Sequence, residues 1–405
     1  MVDVDGGARR RSTLAAVSER LPYLNARLQG FGATIFAEMS ALALRTGAVN
    51  LGQGFPDTDG PSEVSEAAVE AIRTGLGNQY PPGIGVPELR NAVVEHQKRF
   101  YDMDYDADSE VLITAGASEA LAAAVLALCE TGDEVVTFEP WYDIYGANIA
   151  MAGAVKKVVT LRPPDYGFDQ EEFLRAITPK TRLILLNTPH NPTGKVFSRS
   201  ELEFIAQVAI ERDLLVVTDE VYEHLVFDGE HIPIASLPGM RERTVTISSG
   251  GKTFSFTGWK IGWVLSTPEL TTAVRTAKQF LTYVSGGPFQ YAIAAGLRLS
   301  DDYYDAFRDD LKAKRDHLAA GLTRAGFEVF QPAGTYFITT DIRSFGTDDG
   351  LEFCWSLPER CGVVAVPNVV FYDNKHEGRH LVRFTFCKQF EVLDEAVARL
   401  QGLAS

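Results

Sequence analysis

No stretch of the sequence approaches the roughly 18 consecutive apolar residues that a membrane-spanning helix requires, although 45% of its 405 residues are hydrophobic. Cysteine is scarce. Cys129, Cys354, Cys361 and Cys387 show no Cys-x-x-Cys spacing, which excludes a zinc ribbon or a disulfide framework and leaves reduced core thiols. Basic residues fall short of acidic ones, 38 against 54, and the formal charge of -16 repels nucleic acid and anionic lipid over most of the surface. An anionic ligand therefore needs a local cationic pocket. The seven histidines include no pair at metal-ligand spacing on a helix, so no catalytic metal is expected. Internal repeats, low-complexity tracts and Gly/Ser linkers are also missing. Arg9 to Arg11 is followed by an apolar stretch of only Leu14 to Val17, too short for a secretory signal, and a soluble cytoplasmic protein is the expectation.

What is present is a rhythm. Short β-branched apolar runs alternate with amphipathic stretches at 111–116, 134–140, 154–161, 182–189, 214–222, 244–250 and 261–266. That is the pattern of a mainly parallel seven-stranded sheet flanked by helices, an α/β fold. Ser198 and Glu201 form a capping box that opens a helix through about Arg212, and Ser118 to Glu130 reads as another. The second begins directly after a strand and points its free backbone N–H groups at that strand's end. From 287 to 325 the pattern predicts one long helix, then strands at 327–342, 362–371 and 380–388, and a closing helix from Glu391 to Leu403. This tail makes a small α+β carboxyl-terminal domain. The expected division is an arm and helix over 1–50 packed on the small domain, a large domain over 51–300 and the small domain over 301–405.

Three loops follow predicted strands: Asn187 to Gly194, Thr218 to Tyr222, and Ser248 to Gly262. Ligands of open α/β sheets collect at the carboxyl ends of the strands, so one site can receive all three loops. They supply a lysine in a Gly/Ser-rich turn, an aspartate at a strand end, a tyrosine three residues on, an asparagine, and a second lysine eight residues after the first. A cofactor with a Schiff-base aldehyde, a pyridinium nitrogen and a phosphate needs that inventory, and pyridoxal 5'-phosphate has all three groups. Gly251-Lys252-Thr253 is not a nucleotide-hydrolase loop, because Thr246 stands where the first glycine is required.

With VNLGQGFPD (49–57), NQYPPGIGVPELR (78–90), TAGASEAL (114–121), NTPHNPTGKVFS (187–198), TDEVYEHLVFDG (218–229), SSGGKTFSFTGWKIGW (248–263), YVSGGPFQ (283–290) and LVRFTFCK (381–388) in this order, the chain resembles the fold-type I, class I/II aminotransferases. It is most similar to the kynurenine and glutamine transaminase and bacterial N-succinyldiaminopimelate aminotransferase branch.

The resemblance implies that Lys252 bonds the cofactor and moves a proton, that Asp219 pairs with the pyridine nitrogen, and that Tyr222 and Asn191 hydrogen-bond the cofactor's phenolic oxygen. It implies a phosphate cup of Ser249, Lys260 and the backbone N–H groups of Ala117 and Ser118, with Tyr80 reaching the phosphate of a neighbouring subunit in a homodimer. Tyr142 matches the aromatic that stacks on the ring, with Trp141 as the competing assignment. Arg383 resembles the clamp of the substrate carboxylate, Gly54 lets backbone approach that carboxylate, and Phe36 lines the side-chain pocket. The implied activity moves an amino group from an amino acid, glutamate or glutamine among the donors, to a 2-oxo acid or aldehyde by ping-pong chemistry. The alternatives are a C–S β-lyase or another PLP amino-acid enzyme, and a non-catalytic PLP-binding regulator.

Overall fold

The computed structural model describes residues 23–403. The arginine run near the amino terminus lies outside them. All seven runs are strands of one sheet: β1 (Val111–Ala115), β2 (Glu134–Glu139), β3 (Val155–Thr160), β4 (Thr181–Asn187), β5 (Leu215–Asp219), β6 (Thr244–Ser249) and β7 (Ile261–Leu265). Their order across the sheet is β1-β7-β6-β5-β4-β2-β3. Every neighbouring pair is parallel except those of β7, which runs against both β1 and β6. The central runs are largely apolar because both faces are covered, whereas β3 at the edge carries Lys156 and Lys157. Val136, Phe138, Ile184, Leu186 and Val216 face one buried cluster, and Val135, Leu183, Leu185, Val217 and Val245 face the other.

The carboxyl ends of the parallel strands form a row, since Asn187 is paired with Asp219 and Asp219 with Ile247. The reversed β7 starts at the same edge, with Ile261 beside Ala115 and Gly262 beside Ser249.

A second, four-stranded antiparallel sheet holds β8 (Glu328–Phe330), β9 (Phe337–Asp341), β10 (Val366–Pro367) and β11 (Leu381–Thr385), in the order β10-β11-β9-β8. Val49–Asn50 pairs in parallel with Val363–Val364, which ties the segment after helix Ile35–Thr46 to this part of the chain. The closing helix spans Phe390–Leu400.

Three expectations need correction. The predicted strand 362–371 is two two-residue strands in different sheets, Val363–Val364 and Val366–Pro367, followed by a 3-10 turn over Asn368–Phe371, because Pro367 has no N–H to carry the ladder on. The predicted long helix is two, Gly287–Leu297 and Asp301–Arg324, because Ser300 turns extended (ψ 163°) and two aspartates open the second helix. The predicted strand 327–342 is likewise split into β8 and β9. Its middle is drawn toward the large sheet: Gly334 donates to Gly194 O at 2.8 Å, and a Cβ there would lie 2.7 Å from Leu225 O. The capping box forms as expected, with Ser198 accepting from the Glu201 N–H and Glu201 accepting from Ser198 N at 2.8 Å. Of the cysteines, Cys129, Cys354 and Cys387 are buried and Cys361 is half-buried.

Candidate active site

The row of strand ends opens onto one cavity that also takes walls from Phe36, Gly54, Phe337 and Arg383. At its floor the helix Gly116–Leu128 starts with Gly116 at φ 69°, a conformation that favours glycine. Gly262 on β7 passes so close that a Cβ would sit 2.6 Å from the Gly116 carbonyl carbon and 2.7 Å from Ala117 N. The approach leaves the first amides of the helix facing the cavity, where Lys260 Nζ donates to Ser118 Oγ at 3.0 Å. Ser249, the last residue of β6, completes the rim. Glu119 is kept off the opening because one carboxylate oxygen accepts from Ala115 N at 2.6 Å and the other from Thr282. This cradle is cationic and has the chemistry of a phosphate cup.

Lys252 stands one turn into the short helix Gly250–Thr253. Burial lowers its pKa to about 8, nearby Lys260 and Arg383 push in the same direction, and Cys387 and Asp219 oppose them. A neutral amine is thus accessible near neutral pH. Its Nζ donates to Tyr336 Oη at 2.8 Å. Asp219 is buried, and desolvation raises its pKa to about 6 against the hydrogen bond from Tyr145 Oη at 2.8 Å, the Val221 N–H and the charge of Lys252. Asn187 braces the same strand end, giving one N–H to Asp219 O at 2.8 Å and accepting from Asn191 N at 2.8 Å.

Arg383, on β11, is 1% exposed, and burial lowers its pKa to about 10, still far above physiological pH. Its guanidinium donates to Asn191 Oδ1 at 3.1 Å and Gly52 O at 2.9 Å, lies 4.0 Å from the Phe337 ring centroid, and leaves Nε without a partner. A buried guanidinium with an open donor is suited to a carboxylate.

A family model for aminotransferase class I and II matches residues 46–400. The chain belongs to the class I and II aminotransferases. It is 52% identical over 389 residues to the Probable N-succinyldiaminopimelate aminotransferase of Mycobacterium tuberculosis, covering 93% of this chain and 98% of that protein. It is 38% identical over 404 residues to the kynurenine–oxoglutarate transaminase of Dictyostelium discoideum, covering 90% and 93%. The solved structure of N-succinyldiaminopimelate aminotransferase from Mycobacterium tuberculosis superposes with a TM-score of 0.92 at 52% identity, over 94% of this chain and 100% of that one. Members of this family use pyridoxal phosphate.

In this aminotransferase the cavity collects Lys252, Asp219, Tyr222, Asn191, Ala117, Ser118, Ser249, Lys260, Tyr142, Arg383, Gly54 and Phe36, all anticipated from sequence. Tyr142 lines it, whereas Trp141 does not and packs under Lys156, whose Nζ is 3.4 Å from the indole ring centroid. Tyr80 is absent from its own chain's cavity and is 82% exposed, stacked edge-on with Tyr283. Gly54 is required for a reason the sequence did not reveal: a Cβ would lie 2.4 Å from Phe337 Cζ and 3.0 Å from Tyr336 Cε2.

Sequence reasoning missed Tyr145, Asn187, Tyr336 and Phe337. Asn187 had a signal, since it opens the loop that was singled out. The other three sit within apolar runs where an aromatic ring reads as core. Histidines that look scattered also meet: His96 Nε2 is 2.6 Å from His224 Nε2, and with Glu223 their donor atoms lie within 4.8 Å of one another. Those atoms pair among themselves and with Tyr101 and Ser248. Among the described residues no helix is long and apolar enough to cross a membrane.

Proposed function

We propose that this aminotransferase binds pyridoxal 5'-phosphate in the cavity and transfers the amino group of N-succinyldiaminopimelate, with glutamate and 2-oxoglutarate as the second pair. The observation that carries the reading is the convergence on one cavity of a lysine with its pKa near 8, a buried aspartate and a buried arginine with a free donor. The residues fit the group. Lys260, Ser118, Ser249 and the helix amides would hold its phosphate, Asp219 would face its ring nitrogen, Tyr142 would cover the ring, and Tyr222 and Asn191 would flank its phenolic oxygen. When bound, the cofactor supplies an electron sink for charge developing at the substrate α-carbon.

The chain's own part is positional and acid–base. Arg383 anchors the α-carboxylate, so the α-carbon is directed at Lys252, and Lys252 Nζ takes the proton from the donor's α-carbon in one half-reaction and gives a proton to the acceptor's α-carbon in the other. The substrate choice rests on the 52% identity to the mycobacterial enzyme over nearly its whole length. The amino group of that substrate lies beside a carboxylate, which suits Arg383. A homodimer completes the site: Tyr80 and Phe280 expose 82% and 80% of their surface, and Tyr80 would serve the partner's phosphate cup. The domains divide at about residues 50 and 300, and the enzyme works in the cytoplasm.

Purified enzyme mixed with N-succinyldiaminopimelate and 2-oxoglutarate is expected to yield glutamate. Formation of pyruvate and ammonia from cysteine-type donors in its place would establish a β-lyase. Lys252→Ala is expected to abolish the visible absorbance of the bound cofactor and lower turnover by at least ~10³-fold. An unaltered visible spectrum would sink the assignment.

A further inference from the structure

Tyr336 occupies a place that no catalytic task described above accounts for. It is wholly buried behind Gly54, Tyr222 and Lys252, which line the cavity: its hydroxyl accepts from Lys252 Nζ at 2.8 Å, donates to Gly54 O at 2.7 Å and lies beside the Tyr222 hydroxyl. Donation to the Gly54 carbonyl fixes the hydroxyl proton, so the oxygen can present only lone pairs to Lys252. The residue before it, Thr335, is β-branched, fully buried and held at φ 66°. A left-handed conformation there is strained, and strain of this kind persists where surrounding structure over-determines it and clusters at functional sites. Here the surroundings are the Thr335 N–H bond to Leu225 O at 2.8 Å and two bonds to Tyr336 O, from Phe386 N at 3.0 Å and Thr385 Oγ1 at 3.1 Å. The backbone is clamped on both sides of the strained residue, and the clamp aims the Tyr336 ring.

The geometry points to Tyr336 as a positioning residue that orients the Lys252 amine as a base. This rests on the reading of Lys252 as the proton carrier. A neutral amine has two N–H bonds and one lone pair. With one N–H committed to Tyr336 Oη, the lone pair is confined to directions away from that bond, which include the open cavity. When Nζ takes the proton from the substrate α-carbon, the C–H electron pair stays with the carbon, Nζ becomes an ammonium, and one of its three N–H groups remains on Tyr336 Oη. Tyr336 neither gains nor loses a proton. Burial holds its phenol well above its ordinary pKa, so it stays neutral throughout. The same hydroxyl ties the base to the backbone of Gly54.

The test is Y336F in the full-length holoenzyme, with pre-steady-state half-reactions on ordinary and α-deuterated glutamate. The expected result is a full complement of bound cofactor with its visible absorbance, and a proton-transfer step slowed about 10- to 100-fold with a larger deuterium isotope effect. A merely structural role would lower the melting temperature without enlarging the isotope effect. T335G is the second variant, because glycine accepts φ 66° without strain and keeps the fold. It is expected to slow the same step about 3- to 10-fold with an unchanged cofactor spectrum. Undiminished proton transfer in either folded variant overturns the proposal, as does loss of the visible absorbance together with the activity. A wild-type protein that shows no visible absorbance with pyridoxal 5'-phosphate overturns the cofactor reading instead.

Discussion

The cavity has two walls with different origins. One is the carboxyl edge of the seven-stranded sheet, where Asn187, Asp219, Ser249, Lys252 and Lys260 come from three loops. The other comes from the antiparallel sheet and the segment after Asn50: Arg383 on β11, Phe337 on β9 and Gly54, with Tyr336 buried behind them and bonded to Gly54 O. The first wall offers groups that can bond a cofactor. The second offers an arginine for the substrate and a tyrosine for the lysine. Under the proposed function, binding the cofactor and selecting the substrate fall to different sheets, and Arg383 joins the two walls through Asn191 Oδ1 on one side and Gly52 O on the other.

Substitutions can separate the walls. Lys252→Ala strikes the first and removes the absorbance altogether. The next largest effect belongs to the second wall: Arg383→Lys keeps a cation but loses the planar fork, so kcat/KM should fall about 100-fold, or ~2.7 kcal/mol, while the visible spectrum stays. Loss of the spectrum as well would show that the walls are not independent. On the first wall, Gly262→Ala forces backbone apart where a Cβ would lie 2.6 Å from Gly116. Cofactor affinity should drop about 10-fold and stability by about 1–3 kcal/mol, measured by spectral titration and thermal unfolding.

A subtler probe is Tyr145→Phe. Burial puts the Asp219 pKa at about 6 in spite of the Tyr145 bond, so ionisation is lost as pH falls through 6. Removing the donor raises that value further. The acid limb of cofactor affinity should move up by about 1 pH unit, worth ~1.4 kcal/mol for one group. For stability the sign is opposite: the buried carboxylate costs nothing below its unfolded value of 3.8, and its full cost is present above about 6. Smallest of all, Ser198→Ala removes a cap outside both walls and should cost about 1 kcal/mol of stability with kcat unchanged.

The same two walls explain what could be read in advance. The seven runs of the large sheet are short β-branched segments with punctuation between them, so the sequence pattern finds them without tertiary knowledge, and the loops that follow carry their chemistry in contiguous residues. The second wall lacks that continuity. Tyr336 looks like one more aromatic in FEVFQPAGTYFITTDI, and only the fold reveals that Gly334 is pulled from the strand toward Gly194 and Leu225. Phe337 is likewise indistinguishable from core until the Arg383 guanidinium is seen over its ring. The break at Ser300 was legible, since Ser-Asp-Asp is a helix start, but the helical periodicity on both sides masked it.

The direction of β7 has an electrostatic consequence. Because β6 and β7 are antiparallel neighbours, the chain leaves the sheet at Ser249 and re-enters at Ile261 on one edge, with Ser249 held opposite Gly262. Lys252 and Lys260 both belong to that closed excursion, so their separation is set by one ladder and owes nothing to the antiparallel sheet. Lys260 is part of what depresses the Lys252 pKa. A dianion settling on Lys260 cancels that repulsion, and the titration of one lysine becomes a gauge of whether the other is occupied.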